Sequence, residues 1–121
     1  MEAILRFATV TTGFVTNGPK CSCGNRDWFP QGSDSWVCSR CDRTRRAAHR
    51  GIIVGGPLCR YDHPDWFVGD EVVTCANCDR TRGVRLEGYI MNGPQCQCGH
   101  RDWFVGQTVY CCSYCERTRS R

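Results

Sequence analysis

Residues 88–119 read GYIMNGPQCQCGHRDWFVGQTVYCCSYCERTR, and their punctuation decides the fold. Two close cysteine pairs, Cys96-x-Cys98 and Cys112-x2-Cys115, flank an aromatic segment, Asp102-Trp103-Phe104, and a glycine turn at Gly106. The aromatics suit a pleated, half-buried strand, Gly106 turns it back, and Val109-Tyr110 returns as its partner. A hairpin of this kind brings the two cysteine pairs together. Four sulfurs converging from two turns are what a tetrahedral metal ion needs, each about 2.3 Å from the ion.

The same text occurs twice more. Residues 13–45 read GFVTNGPKCSCGNRDWFPQGSDSWVCSRCDRTR and residues 51–82 read GIIVGGPLCRYDHPDWFVGDEVVTCANCDRTR. Cys38, Cys75 and Cys112 recur every 37 residues, and the only length change is one extra residue in the first hairpin. A unit this short is below the roughly 40 residues that usually fold without a metal, a disulfide or a partner. Each repeat opens with Gly-x-x-x-x-Gly-Pro, a short strand ended by a turn, and closes with Arg-Thr-Arg, a strand leading onward. No stretch has a helical period. The expected fold is small, all-β and metal-stabilised, in three units spanning 1–48, 49–86 and 87–121.

The first and third units present Cys21, Cys23, Cys38 and Cys41, and Cys96, Cys98, Cys112 and Cys115. The second departs from the rule, because Tyr61 stands where Cys23 and Cys98 stand in the other two. His63, four residues after Cys59, is the expected replacement, giving Cys59, His63, Cys75 and Cys78. Asp62 is the runner-up and a degenerate site the third outcome; His100 shares the register of His63 in a unit that keeps both cysteines. Cys111, the twelfth cysteine, reads as a free, half-buried hydrophobe on a return strand.

These paired knuckles on hairpins resemble the zinc-ribbon superfamily over nearly the whole chain. The first knuckle is Cys-x-Cys rather than the usual Cys-x2-Cys. The resemblance implies three tandem zinc ribbons holding three Zn²⁺ ions, or two if the second site is degenerate. Iron in a rubredoxin-like sulfur site is the competing metal. Disulfides are the competing chemistry, but Cys-x-Cys closes a strained ring. The opening Met1-Glu2-Ala3-Ile4-Leu5-Arg6 carries charge and reaches Gly13 without a sustained apolar run, unlike a signal peptide or membrane span. An intracellular placement, with metal rather than disulfides, is the expectation.

The formal charge of +4 counts every cysteine as neutral. Ligation of three divalent ions by eleven thiolates subtracts eleven charges and adds six, leaving about −1. Net charge therefore gives no general support for a nucleic-acid partner. Fifteen arginines against the single Lys20 are more informative. Arginine is preferred where planar, bidentate or stacked contacts matter. Arg43 and Arg45, Arg80 and Arg82, and Arg117 and Arg119 recur in Cys-Asp/Glu-Arg-Thr-Arg, and they are the candidate partner contacts. Two uses compete: gripping phosphates or acidic partner groups, and bonding within each repeat to Asp27, Asp65 or Asp102. The second use is expected for one arginine of each pair. Trp28, Trp66 and Trp103 are expected as core. No His/Ser/Asp set, catalytic carboxylate pair or Gly-rich phosphate loop occurs, so the chain is not expected to be an enzyme, nor to take a small-molecule substrate. A structural or protein-interaction role in a larger assembly is the leading expectation, with nucleic-acid binding as the alternative.

Overall fold

A computed structural model describes residues 5–10 and 13–121. The charged opening Met1–Ile4 and the pair Thr11–Thr12, on which part of the leader reading rests, lie outside the described residues. The described chain contains strands and turns and no helix, as the sequence pattern predicts. No helix is long and apolar enough to cross a membrane among the described residues.

Strand β1 is Leu5–Arg6. The first unit contributes β2 (Trp28–Gln31), β3 (Ser35–Cys38) and β4 (Thr44–Arg46). The second contributes β5 (Gly51–Ile53), β6 (Trp66–Val68), β7 (Val73–Cys75) and β8 (Thr81–Arg82). The third contributes β9 (Gly88–Ile90), β10 (Trp103–Val105), β11 (Val109–Cys112) and β12 (Thr118–Ser120). Each unit is its own antiparallel sheet, in the orders β2-β3-β4, β5-β6-β7-β8 and β1-β9-β10-β11-β12. The repeat is kept to the register: Trp28 faces Cys38, Trp66 faces Cys75 and Trp103 faces Cys112. The indole N–H of each tryptophan donates to the proline carbonyl of its own Gly-Pro turn, Pro19, Pro57 or Pro94, always at 2.7 Å. A row of tryptophans thus ties each central hairpin to the turn that leads into the first knuckle.

Neighbouring residues on a strand point to opposite faces, so Trp and Phe in Trp-Phe cannot share a core. The sheets stack because of this. Phe67 from the second sheet enters the first unit's core, edge-on to Trp28 (4.8 Å between ring centroids) and stacked on Trp36 (5.4 Å). Phe104 from the third sheet enters the second unit's core, edge-on to Trp66 at 4.9 Å. Both phenylalanines are fully buried. Cys111 is on the same face as Phe104 and is buried in that inter-ribbon core, beside Val84 and Leu86. Burial pushes its thiol up to about 11, so it stays a neutral hydrophobe at physiological pH.

The arginines reinforce the stack in a way that corrects the sequence reading. Arg45 is buried and donates to the carbonyls of Ala76 and Asn77 in the next ribbon, each at 2.8 Å. Arg82 repeats the contact one ribbon on, donating to Ser113 O (2.8 Å), Tyr114 O (3.1 Å) and the Glu116 carboxylate (2.6 Å). The expected bonds within each repeat to Asp27, Asp65 and Asp102 are not how the pairs are used. Those carboxylates instead accept turn amides: Asp27 from Asn17, Asp65 from Gly55 and Asp102 from Asn92. Asp65 also bridges ribbons, accepting from the Lys20 amide at 2.8 Å and the Arg26 guanidinium at 3.1 Å. Asp27 and Asp102 are thus engaged by the ordered backbone N–H of their own turns, and the one arginine on Asp65 comes from the preceding ribbon, not from the Arg-Thr-Arg pair of its own.

Replacing Arg45 with Gln leaves two inward-facing carbonyls without their donor. The expected loss is about 2–4 kcal/mol, since a buried unsatisfied polar group costs about 1–3 kcal/mol. Urea denaturation of the metal-loaded protein measures it, and Arg119→Gln at the equivalent, exposed position should change stability by less than about 0.5 kcal/mol.

The opening segment does not stay with the first unit. Leu5 and Arg6 pair antiparallel with Ile90 and Tyr89 of the third sheet, and Thr9 bridges Ile52 of the second. Two glycines make room for this strap. A Cβ on Gly88 would come within 2.6 Å of the Leu5 side chain and 2.7 Å of the Arg6 carbonyl. A Cβ on Gly51 would come within 3.0 Å of the Thr9 carbonyl. At Gly13, the same position in the first repeat, a Cβ would meet nothing.

Candidate metal centres

Among the described residues three clusters of four potential ligands form, and each takes its members from the two knuckles of one ribbon: Cys21, Cys23, Cys38 and Cys41; Cys59, His63, Cys75 and Cys78; Cys96, Cys98, Cys112 and Cys115. In each, the four donor atoms lie within 4.8 Å of one another. The twelve sequence-predicted ligands are thus brought together in the predicted sets. The fold is a tandem zinc-ribbon-like repeat.

The donor spacing tests whether a metal fits. A tetrahedron with metal–sulfur bonds of about 2.3 Å has edges of about 3.8 Å. The sulfur pairs Cys21–Cys41 (3.5 Å), Cys23–Cys38 (3.6 Å), Cys96–Cys115 (3.5 Å) and Cys98–Cys112 (3.7 Å) match it. In the second ribbon the Cys59 sulfur lies 3.7 Å from Cys75 and 3.8 Å from Cys78. These spacings suit the edges of a tetrahedral metal site and are far beyond the roughly 2.05 Å of a disulfide, and all twelve cysteines are free.

Backbone geometry aims the sulfurs. The first knuckle is a turn in which Gly24, Asp62 and Gly99 bond back to Cys21, Cys59 and Cys96 with left-handed φ of 93°, 65° and 94°. In the second knuckle Asp42, Asp79 and Glu116 take the left-handed position, with φ of 63°, 67° and 71°. Burial opposes ionisation of Cys38, but N–H donors from Cys41 and Arg40 and the Asn25 amide outweigh it and lower the thiol to about 6. Cys59 is held down to about 4, chiefly by its bond from the Cys75 thiol, while the partner Cys75 is pushed up. Without a cation, one sulfur of such a pair ionises at the expense of the other. A divalent ion lets all of them be thiolates at once.

One register of the first knuckle is used in three ways. In ribbon 1 it is Asn25, whose side-chain amide donates to the Cys38 sulfur at 3.4 Å. In ribbon 2 it is His63, whose Nδ1 lies 3.5 Å from the Cys59 sulfur and 3.8 Å from the Cys75 sulfur. In ribbon 3 it is His100, which turns away from the cluster and stacks on Tyr114 at 3.5 Å between ring centroids. The imidazole of His63 reaches the corner that a sulfur on residue 61 would fill. The runner-up Asp62 is held at the exposed apex of the turn and is not among the clustered ligands. Tyr61, freed from ligation, points outward and accepts a bond from Arg80 at 2.7 Å, with the guanidinium 4.5 Å over its ring.

The six candidate partner arginines therefore divide. Arg45 and Arg82 are buried between ribbons, Arg80 is held on Tyr61, and Arg43 is exposed but lies 3.6 Å from the Cys41 sulfur. Arg117 and Arg119 are exposed on the third ribbon. They do not form one continuous stripe. Comparison of the chain with protein-family models, with curated proteins and with solved structures yields no match.

Proposed function

We propose that this chain is a non-catalytic zinc protein that serves as a structural or protein-interaction component of a larger assembly. The observation that carries the reading is the fate of the arginines. Of the six side chains expected to grip phosphates, Arg45 and Arg82 are spent on holding one ribbon to the next and Arg80 is held on Tyr61, which leaves Arg43, Arg117 and Arg119 exposed. Closed four-ligand sites support the same view, because catalytic zinc keeps a position open for water or substrate. Zinc is preferred to iron because the second site mixes three sulfurs with an imidazole, a common structural zinc set.

Elemental analysis of the purified protein should give three zinc ions per chain. Two would mean that the second ribbon is empty, and iron with visible absorbance would replace zinc. Nucleic-acid binding is tested by fluorescence anisotropy with single- and double-stranded DNA and RNA at 150 mM salt. No submicromolar binding is expected. Submicromolar affinity that falls steeply with salt, and is lost when Arg43, Arg117 and Arg119 are changed together to Gln, would replace this proposal with a phosphate-binding role.

A further inference from the structure

Each sheet of the stack has two unlike faces, one presenting tryptophan and the other phenylalanine. The interface between them is built twice inside the chain, and each time it has the same two parts. A phenylalanine (Phe67 or Phe104) enters a tryptophan-lined slot, and an arginine (Arg45 or Arg82) grips two carbonyls of the opposing second knuckle. One face of each kind is left over. On the first ribbon, Phe29 is 47% exposed and Phe14 73%, with their rings in edge contact at 5.2 Å. Its second knuckle offers the carbonyls of Ser39 and Arg40, two exposed residues in the register of Ala76 and Asn77. On the third ribbon Trp103 is itself only 3% exposed, so that face presents the half-buried Tyr110 packed against it and the exposed Arg119, which lies 5.8 Å over the Trp103 ring much as Arg82 lies 5.9 Å over Trp66. Arg82 has its carbonyls; Arg119 has no acceptor among the described residues.

We propose that the chain associates head to tail with a second copy of itself. The Phe29 face of one copy docks on the Trp103 face of the other, and Arg119 donates to the Ser39 and Arg40 carbonyls. The inference rests on the interaction reading above and names its partner. Continuity with the internal interface argues for this occupant, because ribbon 1 presents to solvent what ribbons 2 and 3 present to their predecessors. The contact is weaker than the internal ones, since the register of the apolar Ala47 and Val84 is held in the third ribbon by Arg121, which bonds to Glu87 and the Gly106 carbonyl of its own ribbon. A heterologous contact of this kind gives rows or rings rather than a closed two-fold dimer.

Sedimentation velocity of the metal-loaded full chain tests the proposal with two variants. Phe29→Asp disables the head and Arg119→Ala the tail, and each must retain three metal ions. Wild type should sediment faster with rising concentration and pass beyond the dimer. Each variant alone should need at least about tenfold higher concentration to associate, as expected for an aromatic or arginine anchor. Mixed in equal amounts, the two variants should form a 1:1 dimer and nothing larger, because each supplies the face the other lacks. Wild type that stays monomeric to millimolar concentration overturns the proposal, as do variants that associate as wild type does. Either result leaves the broader reading to its own test, the nucleic-acid measurement.

Discussion

Alanine at His63 is expected to lower the metal content from three ions to two and to loosen more of the molecule than the second ribbon. Structural zinc contributes roughly 10–16 kcal/mol in small domains, so even a partial loss compares with the roughly 5–15 kcal/mol that stabilises a whole domain. The middle ribbon supplies Phe67 to the core before it and Arg82 to the knuckle after it. Its melting should therefore raise amide exchange in all three ribbons, most in β5–β8. His100→Ala is the control at the same register. It should keep three ions and cost about 1 kcal/mol, the scale of an aromatic stacking contact. Elemental analysis with hydrogen exchange reads both. Equal, mild effects of the two substitutions would remove His63 from the ligand set.

The second large effect concerns packing between ribbons. Phe67→Ala and Phe104→Ala should each cost about 3–5 kcal/mol in denaturant titrations at saturating metal, the range for emptying a core aromatic. Phe29→Ala, the same residue in the same repeat position, should cost less than about 1 kcal/mol, because that ring is half in water. Three like substitutions in one chain make a clean comparison. A uniform cost would mean that the ribbons are independent beads and that the stacked sheets do not persist in solution.

Much of this was legible in the sequence for a plain reason: a metal site is local. The ligands Cys96, Cys98, Cys112 and Cys115 lie within one hairpin, so spacing alone groups them, and the hydrogen-bonded turns between them are equally short-range. The replacement of Cys23 by Tyr61 could be paired with His63 because both lie in one knuckle. What the spacing did not reveal is how ribbon meets ribbon. Arg45 sends its bonds to Ala76 and Asn77, more than thirty residues away, and no periodicity within a repeat encodes that. A signal was present nonetheless. Trp66-Phe67-Val68 is apolar on both faces of its strand, and such a strand needs cover on both sides. One ribbon covers only one side. Expecting core from the tryptophan row alone leaves the cover over Phe67 and Phe104 unassigned, and with it the inter-ribbon use of Arg45 and Arg82.

The strap formed by Leu5–Arg6 has a consequence for how the protein is made. A ribosome releases the chain from its beginning, and domains generally fold in the order they emerge. The first two ribbons can close around metal while the third is still being synthesised. The strand that pairs with β9 precedes all three ribbons in this sequence, yet its partner appears some eighty residues later. During that interval the edge formed by Leu5 and Arg6 has no mate, and such edges invite mispairing between nascent chains. Its docking therefore waits until the third ribbon has begun to emerge and β9 is there to receive it.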